Sequence, residues 1–467
     1  MGNLYIVRHG ESIANRARIL QGQQIDLGLS QSGILEVNGL ARKSSNKLAT
    51  CKNIMCSSTK RALETAHVFS TVLKKTVEIS KLLTEVDEGV LAGLSHRFAK
   101  EIYPEYYEKW MNRSDLDKIP SAETGNCLQS RALLFLYQWY LKKNHDMLIV
   151  SHAAYIRSLV NTCYNQKRDT PVNIGHNIIH HIKHPWSNID YNVLKESSSK
   201  CVLNIRTIDK SYLLKETIYD SNKNYTALFE MQKGVYDKTR CCPEIYNNHV
   251  FSEKDEIRII KVEEFLSGQH IVFACTSKTQ VESLIGELFK LGIVMKSDEN
   301  NHRLPSLENY IENIIIATEK LQTIHAYRMY LLQAPLASLD NNQRAVLVDV
   351  HAENILFFGD VARFVDFDNA ISACDEFQIG CLLSSFCFLK ANKSDYVDIL
   401  NMIVNIWPND KICIEKVKMS VTLRAIIGAV HFEKKREDIG LTDRESSLVR
   451  SYIDIFKTFS EEGNTLC

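Results

Sequence analysis

No stretch of the 467 residues stays apolar for anything near the roughly 18 that a membrane-spanning helix needs, so no transmembrane segment is expected. The start of the chain lacks a basic segment leading into an apolar one. It opens directly on a strand-like LYIV, and no signal peptide is expected. An excess of one charge is also missing. Lys and Arg number 56, as do Asp and Glu, so the balance gives no reason to expect nucleic acid or a membrane surface as partner. There is no internal repeat, low-complexity tract or long linker of disordered composition. The 13 cysteines lack metal-binding order: Cys51 and Cys56 have the wrong spacing for a zinc knuckle, and Cys241-Cys242 is an isolated vicinal pair. Reduced thiols in a cytoplasmic protein are the expectation. What is present, 45% hydrophobic and 24% charged residues, is ordinary globular composition at a length that favours two domains.

The two halves are written differently. Up to about residue 185, short apolar runs (LYIV, NIMC, MLIV, NIIHHI) alternate with helical stretches (TKRALETAHVFSTVL, CLQSRALLFLYQWYLKK), the rhythm of a mostly parallel sheet. After HPWSNIDY, residues 191–217 read as a β-meander, and the rest is mainly helical. Ser277 and Gln280 make a capping-box pattern before VESLIGELFKLG, with Gly292 expected to stop that helix.

Several apolar runs end in polar residues suited to phosphate. Arg8-His9-Gly10-Glu11-Ser12, with Asn15 beyond, follows LYIV. SSTKRALETA supplies Arg61, LLTEVDEGVLAG supplies Glu85 with Gly89 and Gly93, PSAETGNCLQSR follows, and LIVSHAAYIR supplies His152. In this order the motifs resemble the histidine phosphatase (phosphoglycerate mutase-like) superfamily over nearly all of the first 185 residues. The resemblance implies a mostly parallel sheet with helices on both faces and a metal-independent phosphatase. Arginines fork onto phosphate oxygens, so Arg8 and Arg61, with Asn15, would bind the phosphate. His9 would attack phosphorus, His152 would donate to a nonbridging oxygen, and Glu85 would be the general acid, with Asp87 and Glu88 as rivals. Ala153 and Ala154 depart from the family's usual glycines. The short stretch between Glu85 and Pro120 favours phosphatase over mutase. His176, His180, His181 and His184 look metal-like, but strand alternation splits them between faces, and they read as a polar strand and its exit.

Residues 346–370, VLVDVHAENILFFGDVARFVDFDNA, resemble the aminoglycoside phosphotransferase and choline kinase branch of the protein-kinase-like fold. The resemblance implies an α+β bilobal domain with Asp349 as catalytic base and Asn354 and Asp366 holding Mg²⁺, for transfer from ATP or another NTP. Lys215, on the third meander strand, and Glu230 would form the nucleotide-binding pair, with Glu263 to Phe265 at the hinge. Ser197-Ser198-Ser199 lacks the usual glycine, Leu347 and Val348 replace His-Gly, and Gln378 stands near a usual structural aspartate. The sequence thus leads to a histidine phosphatase domain over 1–188 and a kinase-like domain over 189–467, with small lobe 189–262 and large lobe 269–467. A bifunctional enzyme is expected, acting on a small-molecule phosphate ester and a small-molecule hydroxyl. The alternatives are a phosphatase with a nucleotide-binding pseudokinase, or a non-catalytic regulatory protein.

Overall fold

The structure, a computed structural model, describes residues 2–112, 116–141, 145–197, 200–219, 225–240, 242–253, 256–266, 269–270, 278–296, 304–317, 339, 344–351, 354–367, 370–387, 393–408 and 411–463. It is an α/β protein whose mostly parallel N-terminal sheet, flanked by helices, is followed by a separate sheet-and-helix region. By contacts the chain divides into two compact units: Met1–Ser221 with Ile245–Phe265, and Asn222–Glu244 with Leu266–Cys467. Among the described residues no helix is long and apolar enough to cross a membrane.

In the first unit, β1 (Asn3–Arg8), β2 (Asn53–Cys56), β3 (Val77–Ile79), β4 (Met147–Ser151) and β5 (Ile179–Lys183) form a sheet of order β3-β2-β4-β1-β5. All neighbours run parallel except β5, which returns antiparallel along β1. Both faces of the sheet are buried, because alternate residues of each strand feed opposite cores. Leu4 and Ile6, with Met147 and Ile149, pack under helices Gly125–Leu141 and Ala153–Cys163. Tyr5 and Val7, with Leu148 and Val150, meet Val37 and Ala41 of helix Gln31–Lys43 and Ala62, Ala66 and Phe69 of helix Lys60–Leu73. The register pairs Arg8 with Ser151, so the residues after β1 and β4 emerge side by side.

A second, antiparallel sheet also belongs to this unit: β6 (Asp190–Glu196), β7 (Lys200–Arg206), β8 (Ser211–Tyr219), β9 (Ile245–Glu253) and β10 (Glu256–Glu264), in the order β6-β7-β8-β10-β9. Of the turn Ser197-Ser198-Ser199, the last two lie outside the described residues. Leu203, Ile205, Tyr212, Leu214, Ile260 and Val262 join the same core as Leu133, Leu136 and Tyr137 of helix Gly125–Leu141. That helix therefore serves two sheets, which is why it is apolar nearly all round. Two buried hydrogen bonds fasten the contact. Tyr212 O–H donates to Gln129 Oε1 at 2.7 Å, and Tyr137 O–H donates to Glu216 Oε2 at 2.7 Å.

In the second unit, strand Arg344–Leu347 pairs antiparallel with Ala370–Ala373, and Ile355–Phe358 lies between Gln269–His270 and Val361–Phe364. The helix expected to stop at Gly292 instead runs Lys278–Lys296. One interior glycine costs a helix about 1 kcal/mol, too little to end a segment that continues Ile293-Val294-Met295. Ser277, the expected cap, lies outside the described residues. Gln378 clamps the Leu347 backbone with two bonds. Its Oε1 accepts from the Leu347 N–H at 2.9 Å, and its Nε2 donates to the Leu347 carbonyl at 3.1 Å. Gln378→Leu strands both buried backbone groups and is expected to cost about 1–3 kcal/mol in urea unfolding. An unchanged midpoint would show that the clamp holds nothing.

Candidate active site

The register of β1 and β4 builds the site. His9 follows Arg8, His152 follows Ser151, the His9 N–H donates to the Ser151 carbonyl at 2.9 Å, and the two rings stand 5.0 Å apart. Gly10 is needed where the chain turns away. A Cβ there would come within 2.5 Å of Val37 Cγ2, and one on Gly33 within 2.2 Å of the Glu11 carbonyl oxygen, so both glycines let helix Gln31–Lys43 close on the loop. His9 Nδ1 lies 2.8 Å from the Gly10 carbonyl, to which it can only donate, so the neutral ring carries its lone pair on Nε2. Burial, then the charges of Arg8 and Arg61, hold the His9 pKa well below the usual histidine value. The ring is thus an unprotonated nucleophile at neutral pH.

His9, Arg8, Asn15, Arg61, Glu85 and Glu88 line one cleft of about 1160 Å³. Arg61 is 1% exposed. It donates from Nη1 to the Ile25 carbonyl at 2.9 Å and from Nη2 to the Gly22 carbonyl at 2.8 Å, and it pairs with Asp26 at 3.3 Å. Arg8 donates to the Ile174 carbonyl at 3.2 Å. Asn15 closes a capping box with Ser12, its Oδ1 accepting from Ser12 N–H at 3.2 Å. His152 Nε2 lies 2.8 Å from Ser57 Oγ and 3.2 Å from Thr59 Oγ1, while Nδ1 is buried with no hydrogen-bond partner among the described residues. Burial and the neighbouring His9 ring push the His152 pKa well below the usual value too.

One neighbour, His176, was not legible as part of the site, whereas Glu88 was already a rival of Glu85 for the acid. His176, read as a strand exit, puts Nδ1 2.8 Å from the His9 carbonyl oxygen, its ring 5.7 Å from that of His9. No group of three or more His, Cys, Asp or Glu among the described residues is placed to hold a metal ion. Glu88 is buried in the cleft wall and accepts from Trp110 Nε1 at 3.0 Å.

Residues 4–187 match the family described as the histidine phosphatase superfamily (branch 1). Over 167 residues the chain is 30% identical to the protein named "Probable phosphoglycerate mutase GpmB" of Yersinia pestis, covering 35% of this chain and 74% of that one. The chain belongs to the histidine phosphatase superfamily. It is also 27% identical over 160 residues to "Putative phosphoserine phosphatase 2" of Hydrogenobacter thermophilus, covering 34% of this chain and 77% of the relative. Membership makes the first unit a histidine phosphatase/phosphoglycerate mutase-like enzyme. Among solved structures, a phosphoserine phosphatase from Entamoeba histolytica is 23% identical, covering 39% of this chain and 90% of that one at a TM-score of 0.34. The amicoumacin kinase hAmiN is 14% identical, covering 57% and 88% at 0.46. Neither structural likeness bears on activity.

The residues singled out in the second half are placed as follows. Asp349 follows strand Arg344–Leu347, and its Oδ1 accepts from Arg424 Nη2 at 3.0 Å while Arg424 Nε donates to the Val348 carbonyl at 3.0 Å. Asn354 Nδ2 donates to the Asp349 carbonyl at 3.0 Å, and the Asn354 carbonyl accepts from Val365 N–H, next to Asp366, at 3.0 Å. The loop thus draws Asp349, Asn354 and Asp366 into one neighbourhood. Lys215, on β8, pairs with buried Glu263 of β10 at 2.5 Å, and Lys261 reaches the other carboxylate oxygen at 3.0 Å. Glu230 is exposed on helix Tyr225–Thr239.

Proposed function

We propose that the first unit hydrolyses a small-molecule phosphate monoester through a phosphohistidine on His9, and that the second transfers phosphate from ATP or another NTP to a small-molecule hydroxyl. The observation that carries the first half is the Gly10 carbonyl fixing the His9 proton on Nδ1, which leaves Nε2 free to attack in a cleft lined by two arginines. Arg8 and Arg61 would spread the charge of the phosphate dianion. With a hydroxyl donating to His152 Nε2, the proton of that neutral ring sits on Nδ1, a donor that a nonbridging oxygen would satisfy. Glu85, at the family's acid position, would serve the leaving oxygen. EDTA is expected to leave this hydrolysis unchanged, since none of these steps calls for a metal; strong inhibition would point to another mechanism.

The second half rests on the Asp-x-His-x-x-Asn and Asp-Phe-Asp pattern and on the loop that joins them. Asn354 and Asp366 offer oxygen donors of the kind Mg²⁺ takes together with water and nucleotide phosphates, and the ion would neutralise phosphate charge. Asp349 would orient the acceptor hydroxyl. The Arg424–Asp349 pair favours a second reading, a nucleotide-binding regulator, because the arginine competes with an acceptor hydroxyl for the same carboxylate. Asp366→Ala is expected to abolish Mg²⁺-dependent phosphoryl transfer, and Asp349→Asn to slow transfer while ATP still binds. Wild-type protein that binds ATP·Mg²⁺ in calorimetry but never transfers phosphate would support the regulator. Absence of binding would sink both readings.

A further inference from the structure

Glu85 stands on backbone that belongs to no helix or strand, between the short 3₁₀ turns Lys81–Leu83 and Gly89–Leu91. No ladder of hydrogen bonds fixes it there, yet an acid that serves a leaving oxygen must be held to within a fraction of an ångström. Its carboxyl group is gripped from the front. Oε1 accepts from the backbone N–H of Val86 at 2.9 Å and of Tyr155 at 3.2 Å, and Oε2 accepts from that of Ala154 at 3.4 Å. Oε1 is the better satisfied of the two, which leaves Oε2 as the oxygen to carry a proton.

The grip from behind is Arg131 of helix Gly125–Leu141, which is not among the residues lining the cleft. It is 7% exposed, and each of its five N–H groups has an acceptor. Nε and Nη2 fork onto the two carboxylate oxygens of Glu123 at 2.7 Å each. Nη1 donates to the Leu82 carbonyl at 2.9 Å and the Thr84 carbonyl at 3.0 Å, and Nη2 also donates to the Glu85 carbonyl at 3.3 Å. Three carbonyls within four residues thus converge on one guanidinium, which sets the path of the chain into Glu85. The same guanidinium lies 5.1 Å from the ring centre of Tyr155, the residue whose N–H holds Glu85 Oε1. Glu123 closes the clasp beyond the acid, its backbone N–H donating to the Asp87 carbonyl at 2.9 Å.

Building on the phosphatase reading, in which Glu85 protonates the leaving oxygen, we propose that Arg131 is a positioning residue for that proton transfer, with Glu123 holding its fork in place. In the step it serves, the His9 Nε2–P bond forms as the ester P–O bond breaks, and the ester oxygen departs with the Glu85 proton. Arg131 exchanges no proton and touches no reacting atom. Its effect is carried by where it puts Glu85.

The test uses full-length protein with phenyl phosphate and p-nitrophenyl phosphate, alike in shape but unequal in how much the leaving oxygen needs a proton. For each, kcat/KM reports formation of the phosphoenzyme, so the later attack of water does not enter. Arg131→Lys keeps the charge but not the planar fork. It is expected to lower kcat/KM for phenyl phosphate by about 100-fold, the scale of a misplaced catalytic group, and for p-nitrophenyl phosphate far less. Glu123→Gln weakens the clasp while keeping its shape, and should shift the ratio of the two substrates the same way by about 5-fold. Tyr212→Phe removes a buried hydrogen bond to Gln129 of the same helix, so it should lower the urea midpoint and leave the ratio unchanged. In a Glu85→Gln background, Arg131→Lys should change the ratio no further, because the acid it positions is gone. A ratio within about twofold of wild type in Arg131→Lys and Glu123→Gln would overturn the assignment, and Glu123→Gln decides alone if Arg131→Lys does not fold. A full further loss in the Glu85→Gln background would overturn it too, as would a shift in Tyr212→Phe as large as in Arg131→Lys. If Glu85→Gln itself leaves the ratio at the wild-type value, or His9→Ala retains hydrolysis, the phosphatase reading fails instead.

Discussion

His9→Ala is expected to lower p-nitrophenyl phosphate hydrolysis by roughly 10⁴-fold or more, as removal of a covalent nucleophile does. The reason is local. Among the described residues, nothing else in the cleft is an unprotonated ring nitrogen held in one tautomer beside both arginines. His152 is buried behind it, with Nε2 engaged by Ser57 and Thr59. His176 directs Nδ1 at the His9 carbonyl. Wild-type protein quenched during turnover should carry acid-labile, base-stable phosphate on His9. Label on any other residue, or an alanine variant within tenfold of wild type, would remove His9 from the nucleophile's role.

Replacing Arg61 is expected to damage both stability and rate. Arg61→Met keeps the stem but removes the fork, which leaves the Gly22 and Ile25 carbonyls and the Asp26 carboxylate without their donor. Unfolding free energy should drop by about 3 kcal/mol, the scale of a buried charged network broken on one side. Folded variant should still lose about 10³-fold in kcat/KM, because a charge aimed at the phosphate is gone. Arg61→Lys restores the charge without the planar fork and should recover only part of either loss. If Arg61→Met proves less stable yet retains kcat/KM within about threefold, the residue only braces the loop.

The strand ends were legible because a buried apolar strand gains nothing in packing by stopping in Arg-His-Gly or Ser-His, whereas a phosphate site needs such residues at a strand's end. Burial was not legible. In TEVDEG every acid looks alike, and what separates Glu88 from Glu85 is Trp110, 22 residues further on, together with a helix end that begins at Ala153. His176 reached His9 only because β5 returns antiparallel along β1, a pairing that alternation within one strand does not encode. The run ALLFLYQWYL did carry a signal: a helix with so little polar surface needs apolar neighbours on more than one side, and the second sheet supplies them.

That sheet also sets a timetable for the first unit. Its strands β9 and β10 follow helix Tyr225–Thr239, which belongs to the other unit, and β10 must slot between β8 and β9. On the ribosome, about 45 residues separate the end of β8 from the end of β10. At ~5–20 residues per second, the nascent chain spends about 2–9 s with β8 as an open edge. Part of the apolar flank of helix Gly125–Leu141 is bare for the same interval, the window in which such an edge can recruit a foreign strand.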